Sequence, residues 1–387
     1  MKNERVAHCG QKALGSIVTL HVHDGHSHFG GVETCGSVWA CPVCAAKITE
    51  GRKEDIQIVL DGHRKAGGRA YMATLTIPHY RFQDAKTLRK AVSTAFRKVK
   101  AGRRWQEARN RYHWAGDVRA LEVTHGGNGW HPHLHVLVLF DAPASQEDAH
   151  AFGEWLFDAW RGAVERMGFG RCSYDAFTFE EVTEDGGAAD YVGKWGAALE
   201  LTKAHTKVSR AGGRTPWQIL ADYDASGSER DANLFREYAL AFKGARQLTW
   251  SRGLRERYAA EPEKSDEQIA QEPMSAGTHA VSLSRELFDQ IVRRKATADV
   301  LEGIESDGLD GVIEALSSFG IGWRLASAPS LEAGRHVPLL EFSGTPETSR
   351  KPIPRDSLGV PGEAPVTFPA IGACELQRSI LQAEKDN

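Results

Sequence analysis

The chain has 387 residues, long enough for two or three domains and a sizeable core. Hydrophobic residues make up 41% and charged residues 26%, an ordinary balance for a globular protein. No stretch approaches the ~20 apolar residues of a membrane span, and Met1 to Arg5 is not followed by an apolar signal core, so the expected location is the cytoplasm. The net charge of −3 does not exclude a nucleic-acid partner, because it is unevenly spread. Residues 1–260 carry 36 basic and 30 acidic side chains, and the remainder carries 12 and 21. The stretch from Arg52 to Arg111 holds most of the positive excess, and a local basic face is what a polyanion needs.

The elements follow in order. Ile17 to Val22 reads as a strand and 47–65 as a helix ending before Gly67-Gly68. Tyr71 to Ile77 is a strand stopped by Pro78, and 84–113 has the pattern of one long basic helix. Val118 to Thr124 and His133 to Phe140 are strands, joined into a hairpin by the turn residues Gly126-Gly127-Asn128-Gly129. A helix at 145–167, a strand at 177–182 and a helix carrying Tyr191 to Leu201 follow. This β-α-β-β-α-β order predicts an α+β fold, an antiparallel sheet with a ferredoxin-like (split βαβ) core. Residues 205–216 read as a basic, Gly-rich loop and 229–258 as helical.

The predicted domains are an N-terminal Cys-rich region (1–66), a central domain (67–258), an acidic linker (259–276), a small C-terminal accessory domain (277–343) and a disordered tail (344–387).

Side chains two apart on a strand share a face, so His133 and His135 form half of a metal site. Glu122 sits on the preceding strand across the glycine turn, placed to supply a carboxylate. Glu122, His133 and His135 are thus the expected ligands of one Mg²⁺ or Mn²⁺; imidazoles admit Mn²⁺ more readily than an all-oxygen site would. His131 falls on the same face, so a His131/His133 pair around Pro132 is the competing choice, disfavoured because proline suits a mid-strand position poorly. A tyrosine in reach of such a metal is a nucleophile suited to a phosphodiester. Tyr191 is the candidate. Lys194, one helical turn on, is placed to lower its pKa or neutralise charge on the phosphate. A Tyr-x-x-Lys pair alone is an ordinary helix surface; its position after the histidines is what singles it out.

Four of the six cysteines cluster near the N-terminus: Cys9, Cys35, Cys41 and Cys44. Without a secretion signal, clustered cysteines point to a metal rather than disulfides. Cys41-Pro-Val-Cys44 suits two adjacent corners of a tetrahedral Zn²⁺ site, with Cys9 and Cys35 completing it. His8, His26 or His28 are substitutes for one thiolate, Cys9 first. Basic residues Arg89, Lys90, Arg97, Lys98, Lys100, Arg103 and Arg104 share a helix with Trp105, a pattern for phosphate contact and base stacking that also fits a solvated helix face. Lys203, Lys207, Arg210 and Arg214 follow the tyrosine helix and are the better placed DNA-binding candidates.

Three motifs in this order carry a resemblance. Thr74-Leu75-Thr76, Trp130-His131-Pro132-His133-Leu134-His135-Val136 and Tyr191-Val192-Gly193-Lys194 resemble the motifs of rolling-circle plasmid replication initiators of the HUH endonuclease superfamily, of the actinobacterial-plasmid type. Cys35 to Cys44 and Gln247 to Leu254 also resemble this subgroup, so the likeness spans about residues 9–257. It implies a metal-dependent, site-specific single-strand nick at the origin and strand transfer through a 5′-phosphotyrosine on Tyr191. The DNA would be single-stranded or an extruded hairpin. Host helicase and polymerase are the protein partners it suggests; the oligomeric state stays open. Thr74 and Thr76 enter as further candidates through the first motif. Some related initiators carry a glutamate one turn before the tyrosine to end replication; here that position is Gly187, and Glu184, Asp185 and Asp190 are the nearby acids. A relaxase or transposase of the same chemistry, a freely hydrolysing phosphodiesterase, and a zinc-containing DNA-binding regulator without catalysis are the rival readings.

Overall fold

The computed structural model describes residues 5–23, 26–182, 213–258, 261–272, 278–326, 330–332 and 335–344. Strands β1 (Ile17–His23) and β2 (His26–Gly30) precede helix α1 (Pro42–Lys65). α1 begins earlier than expected because Pro42 stands in its first turn, where the missing N–H costs nothing. β3 (Arg69–Thr76) follows, then α2 (Ala85–Val99) and α3 (Gly102–Arg111) where one long helix was expected. Gly102 sits at φ +77°, a left-handed conformation that interrupts the helix. β4 (Trp114–Gly126) and β5 (Gly129–Phe140) form a long hairpin turning at Gly127-Asn128. α4 (Gln146–Arg166) starts with reciprocal Ser145 and Asp148 caps, and β6 (Thr178–Glu181) follows.

Beyond these come α5 (Pro216–Ser226), α6 (Glu229–Phe242), β7 (Leu248–Trp250), α7 (Leu254–Tyr258) and α8 (Asp266–Gln271). The helix expected over 229–258 is therefore broken. Gly244, at φ +71°, lies just past the end of α6, and β7 pairs with Val118 to Ala120 at the edge of β4. The last elements are β8 (Thr278–Ser284), α9 (Arg285–Arg293), α10 (Thr297–Ser318), β9 (Trp323–Leu325), β10 (Ser330–Glu332), β11 (Arg335–Val337) and β12 (Leu339–Phe342).

The chain divides into two compact units, one from Ser37 to Ile269 and one made of the segments before and after it. The central unit holds an antiparallel sheet in the order β6-β3-β5-β4-β7. β3 and β4 run parallel with β5 inserted between them. One face packs Met72, Val118, Ala120, Leu137 and Leu248 against Ile56, Val59 and Leu60 of α1. The alternate residues, including Tyr71, Val136, Val138 and Phe140, are equally buried. Their aromatic rings meet Phe152 of α4 and Phe179 of β6. A one-residue slip of β5 would exchange these two faces and turn His133 and His135 away from the face of Glu122.

The stretch expected to be a free linker is anchored as far as Ile269. The buried Arg52 of α1 pairs with Glu263 at 3.1 Å and Asp266 at 3.2 Å, and Ile269 is buried.

The second unit corrects the expected order of domains. β1 pairs with β8, Leu20 opposite Val281 and Val18 opposite Leu283, in a sheet ordered β2-β1-β8-β12-β9. Helices α9 and α10 supply Leu287, Phe288, Ile291, Val300, Ile304 and Leu316 to its core. The apolar side chains of β1 are buried by residues far along the chain. The regions expected at 1–66 and 277–343 therefore share one core, while α1 belongs to the central unit.

Candidate metal centre

The β3-β5-β4 register builds the first cluster. Glu122 lies opposite His133, and His133 lies opposite Thr76; two positions further along, Ala120, His135 and Thr74 align. Cross-strand partners share a face, so Glu122, His133, His135, Thr74 and Thr76 all point the same way. The Glu122 Oε2 lies 2.9 Å from the Nε2 of His133 and 2.9 Å from the Nε2 of His135. The three ligand atoms lie within 4.8 Å of one another, and His135 is buried.

The donor set fits a divalent cation. The His133 Nδ1 faces the His131 carbonyl oxygen at 3.3 Å, and the His135 Nδ1 faces the Thr74 Oγ1 at 3.2 Å. A carbonyl can only accept, so His133 carries a proton on Nδ1; Thr74 can accept from His135 in the same way. With Nδ1 so engaged, both Nε2 atoms point at Glu122: when protonated they donate to its carboxylate, and when deprotonated they would offer lone pairs to a shared cation, the orientation metal-binding histidines receive from their outer partners. Burial alone would raise the Glu122 carboxyl. The two histidines outweigh it and hold the group well below the usual carboxylate range, as an anion.

His131 takes a different place from the competing pair considered above. Its ring stands 5.4 Å from that of His133 and 4.6 Å from that of His79, outside the three-ligand cluster. Burial, then the charges of His133 and His79, pull its pKa down to about 4, so it is neutral. Thr76 turns its hydroxyl to the Ala176 carbonyl at 3.4 Å. His79, directly after the Pro78 that ends β3, was missed by sequence reasoning; only its nearness to the first motif could have flagged it.

The cysteines Cys9, Cys35, Cys41 and Cys44 are all buried. Cys41 stands at the N-cap of α1 and Cys44 in its first turn. The Cys35 N–H points to the Cys9 Sγ at 3.4 Å. Thiolates in a C-x₂-C spacing suit adjacent corners of a soft tetrahedral ion such as zinc.

Of the other candidates, Tyr191, Lys194, Lys203, Lys207, Arg210, Glu184 and Asp190 lie outside the described residues, as does Gly187. Arg103 and Arg104 are exposed on α3, with Arg103 bonded to Glu107 at 2.6 Å. Trp105 is not available for stacking: it is 6% exposed, packed by Trp114, Phe152 and Trp155. Lys100 turns inward too, over the Trp105 and Trp114 rings, and pairs with Asp117. Arg214 pairs with Asp222 and Asp231, both at 2.7 Å, and its backbone bridges to His125 at the end of β4.

A protein-family profile described as "Replication protein" (Rep_1) matches residues 30–287. The chain belongs to this replication protein family. It is 28% identical over 304 residues to the "Protein rep" of Streptomyces lividans, covering 62% of this chain and 67% of that protein. It is 33% identical over 134 residues to a "Neomycin resistance protein" of Streptomyces cyanogenus, covering 28% of this chain and 31% of the relative. No solved structure matches the chain. Among the described residues, no helix is long and apolar enough to cross a membrane.

Proposed function

We propose that this protein starts rolling-circle replication of a plasmid by nicking one strand of its origin and holding the cut end covalently. The observation that carries the reading is the convergence of Glu122, His133 and His135 on one face of a replication-family sheet. The strand arrangement β6-β3-β5-β4 supports reading the sheet as a split βαβ core and the protein as an HUH-type nuclease.

Glu122, His133 and His135 would hold Mg²⁺ or Mn²⁺, which when bound polarises the scissile phosphate and orients it for in-line attack. Thr74 and the His131 carbonyl fix the two imidazoles, so the ligands need little rearrangement. The Tyr191 oxygen attacks phosphorus as its proton leaves to solvent. A bond forms from tyrosine to the 5′-phosphate, the P–O3′ bond breaks, and the 3′ oxygen takes up a proton. The phosphodiester energy is kept in the phosphotyrosine, which allows later rejoining. Lys194 stabilises charge at the phosphate, and Lys203, Lys207 and Arg210 hold the nicked strand. The 3′-OH primes a host polymerase, with a host helicase opening the duplex. Cys9, Cys35, Cys41 and Cys44 would hold Zn²⁺. The work takes place in the cytoplasm on single-stranded or hairpin DNA, whose unpaired phosphates can be aligned for attack.

The test is relaxation of supercoiled plasmid carrying the cognate origin. Open circles should form with Mn²⁺ and not with EDTA or with Glu122→Ala. Closed circles throughout would sink the reading.

A further inference from the structure

Three large aromatic side chains are exposed among the described residues: Tyr80 at 58%, Phe82 at 82% and Tyr174 at 51%. Tyr80 and Phe82 follow the end of β3, where Thr76 faces His133. Tyr80 and Phe82 lie in the loop that leaves β3. Tyr174 belongs to the segment that packs on Thr76 through Cys172 and Ala176.

The loop is fixed beside the metal centre. The Gln83 N–H donates to the Tyr80 carbonyl at 2.9 Å, and the Tyr80 N–H donates to the Gln83 Oε1 at 2.8 Å, closing a turn. A Cβ on Gly129 would lie 2.9 Å from the Arg81 Cα, so the loop backbone rests on the β4–β5 turn. The rings of His79, His131, His133 and His135 follow one another at 4.6, 5.4 and 4.9 Å, from the loop to the metal ligands. The Tyr80 and Phe82 rings are parallel within 1°, with centroids 5.6 Å apart. Arg81 between them is exposed and makes no ion pair among the described residues.

We propose that Tyr80 and Phe82 form a stacking platform for an unpaired DNA base next to the scissile phosphate, with Arg81 on the adjoining backbone. The proposal deepens the nicking reading and rests on it for the position of that phosphate. Two parallel rings held outward by a closed turn offer a flat π surface at little ordering cost, and every base has a matching face. The cation between them suits the phosphate that accompanies each base.

The experiment measures binding of the full-length protein to a fluorescent oligothymidylate in EDTA, by anisotropy across a salt series. The Tyr80→Ala/Phe82→Ala double variant should bind about ten-fold or more weakly, with an unchanged salt slope, because stacking releases no counterions. Phe82→Trp should retain wild-type affinity, and Arg81→Ala should flatten the slope by about one. Both aromatic positions are exposed, and melting curves will show whether the variants stay folded. Wild-type affinity in a folded double variant overturns the platform, as does a wild type that ignores the oligonucleotide. A double variant that loses only self-association or protein binding overturns it in favour of a protein surface. The two claims separate. Origin nicking with platform-independent binding removes the platform alone; platform-dependent binding without any nick removes the nicking reading and keeps a single-strand site.

Discussion

Glu122 and His133 face each other across neighbouring strands, with Oε2 and Nε2 2.9 Å apart. The contact sits four residue pairs along the hairpin from buried Val118 and Leu137, on the same face, so the packing of the sheet on α1 holds it in place. Mutating Glu122 therefore removes a ligand without removing a core side chain. Glu122→Ala should keep the fold and lower divalent-metal affinity by at least ~100-fold, more than outer-partner losses of ~10–100-fold. Titration with Mn²⁺ followed by electron paramagnetic resonance will measure it. Unchanged Mn²⁺ affinity would remove Glu122 from the metal site.

Thr74 tests the outer partner. Thr74→Val keeps the shape of the side chain and removes the oxygen at the His135 Nδ1. The expected loss is ~10–100-fold in metal affinity or nicking rate. Thr74→Ser should recover most of it, and equal defects in both variants would point to packing instead.

His63 supplies a pH prediction separate from the metal. The ring is buried, its Nε2 donating to the Arg69 carbonyl at 3.1 Å while Nδ1 accepts from the Tyr258 hydroxyl at 3.0 Å. Burial lowers its pKa from the ordinary 6.5. The unfolded chain therefore binds a proton more readily than the folded one. The stability tied to neutral His63 is complete above about pH 6.5 and falls as the pH drops from there through the lower folded value. Urea unfolding from pH 8 to pH 5 should show a steeper acid loss for wild type than for His63→Gln. Identical slopes would contradict the assignment. Gly68→Ala probes the same ring, because its Cβ would fall 2.2 Å from His63 atoms. A loss of about 1–3 kcal/mol is expected from overpacking.

The cysteine cluster predicts bound metal. Protein purified without chelator should carry one zinc per chain by plasma mass spectrometry, and Cys44→Ser should lower both the zinc content and the melting temperature. Metal-free protein with wild-type stability would contradict a zinc site.

What was legible in the sequence follows the range of the interactions. The Glu122, His133 and His135 cluster depends on strand alternation and one tight turn, both local. The cysteine set rests on residue chemistry and a C-x₂-C spacing. The pairing of β1 with β8 joins Leu20 to Val281, and no local pattern announces a partner so distant. The burial of Trp105 likewise depends on Trp114, Phe152 and Trp155 from other elements. The helix breaks at Gly102 and after α6 were marked by glycines, but the amphipathic runs around them argued for continuity. The ion pairs of Arg214 with Asp222 and Asp231 form only once α5 and α6 fold, so no local pattern announces them.

The central claim is covalent nicking, and denaturing electrophoresis tests it most directly. Labelled single-stranded origin DNA is mixed with Mn²⁺ and either wild type or Tyr191→Phe, with EDTA controls. A slow-migrating protein–DNA adduct that needs both Tyr191 and the metal is the predicted result. Cleavage without an adduct, or an adduct that persists in Tyr191→Phe, would contradict it.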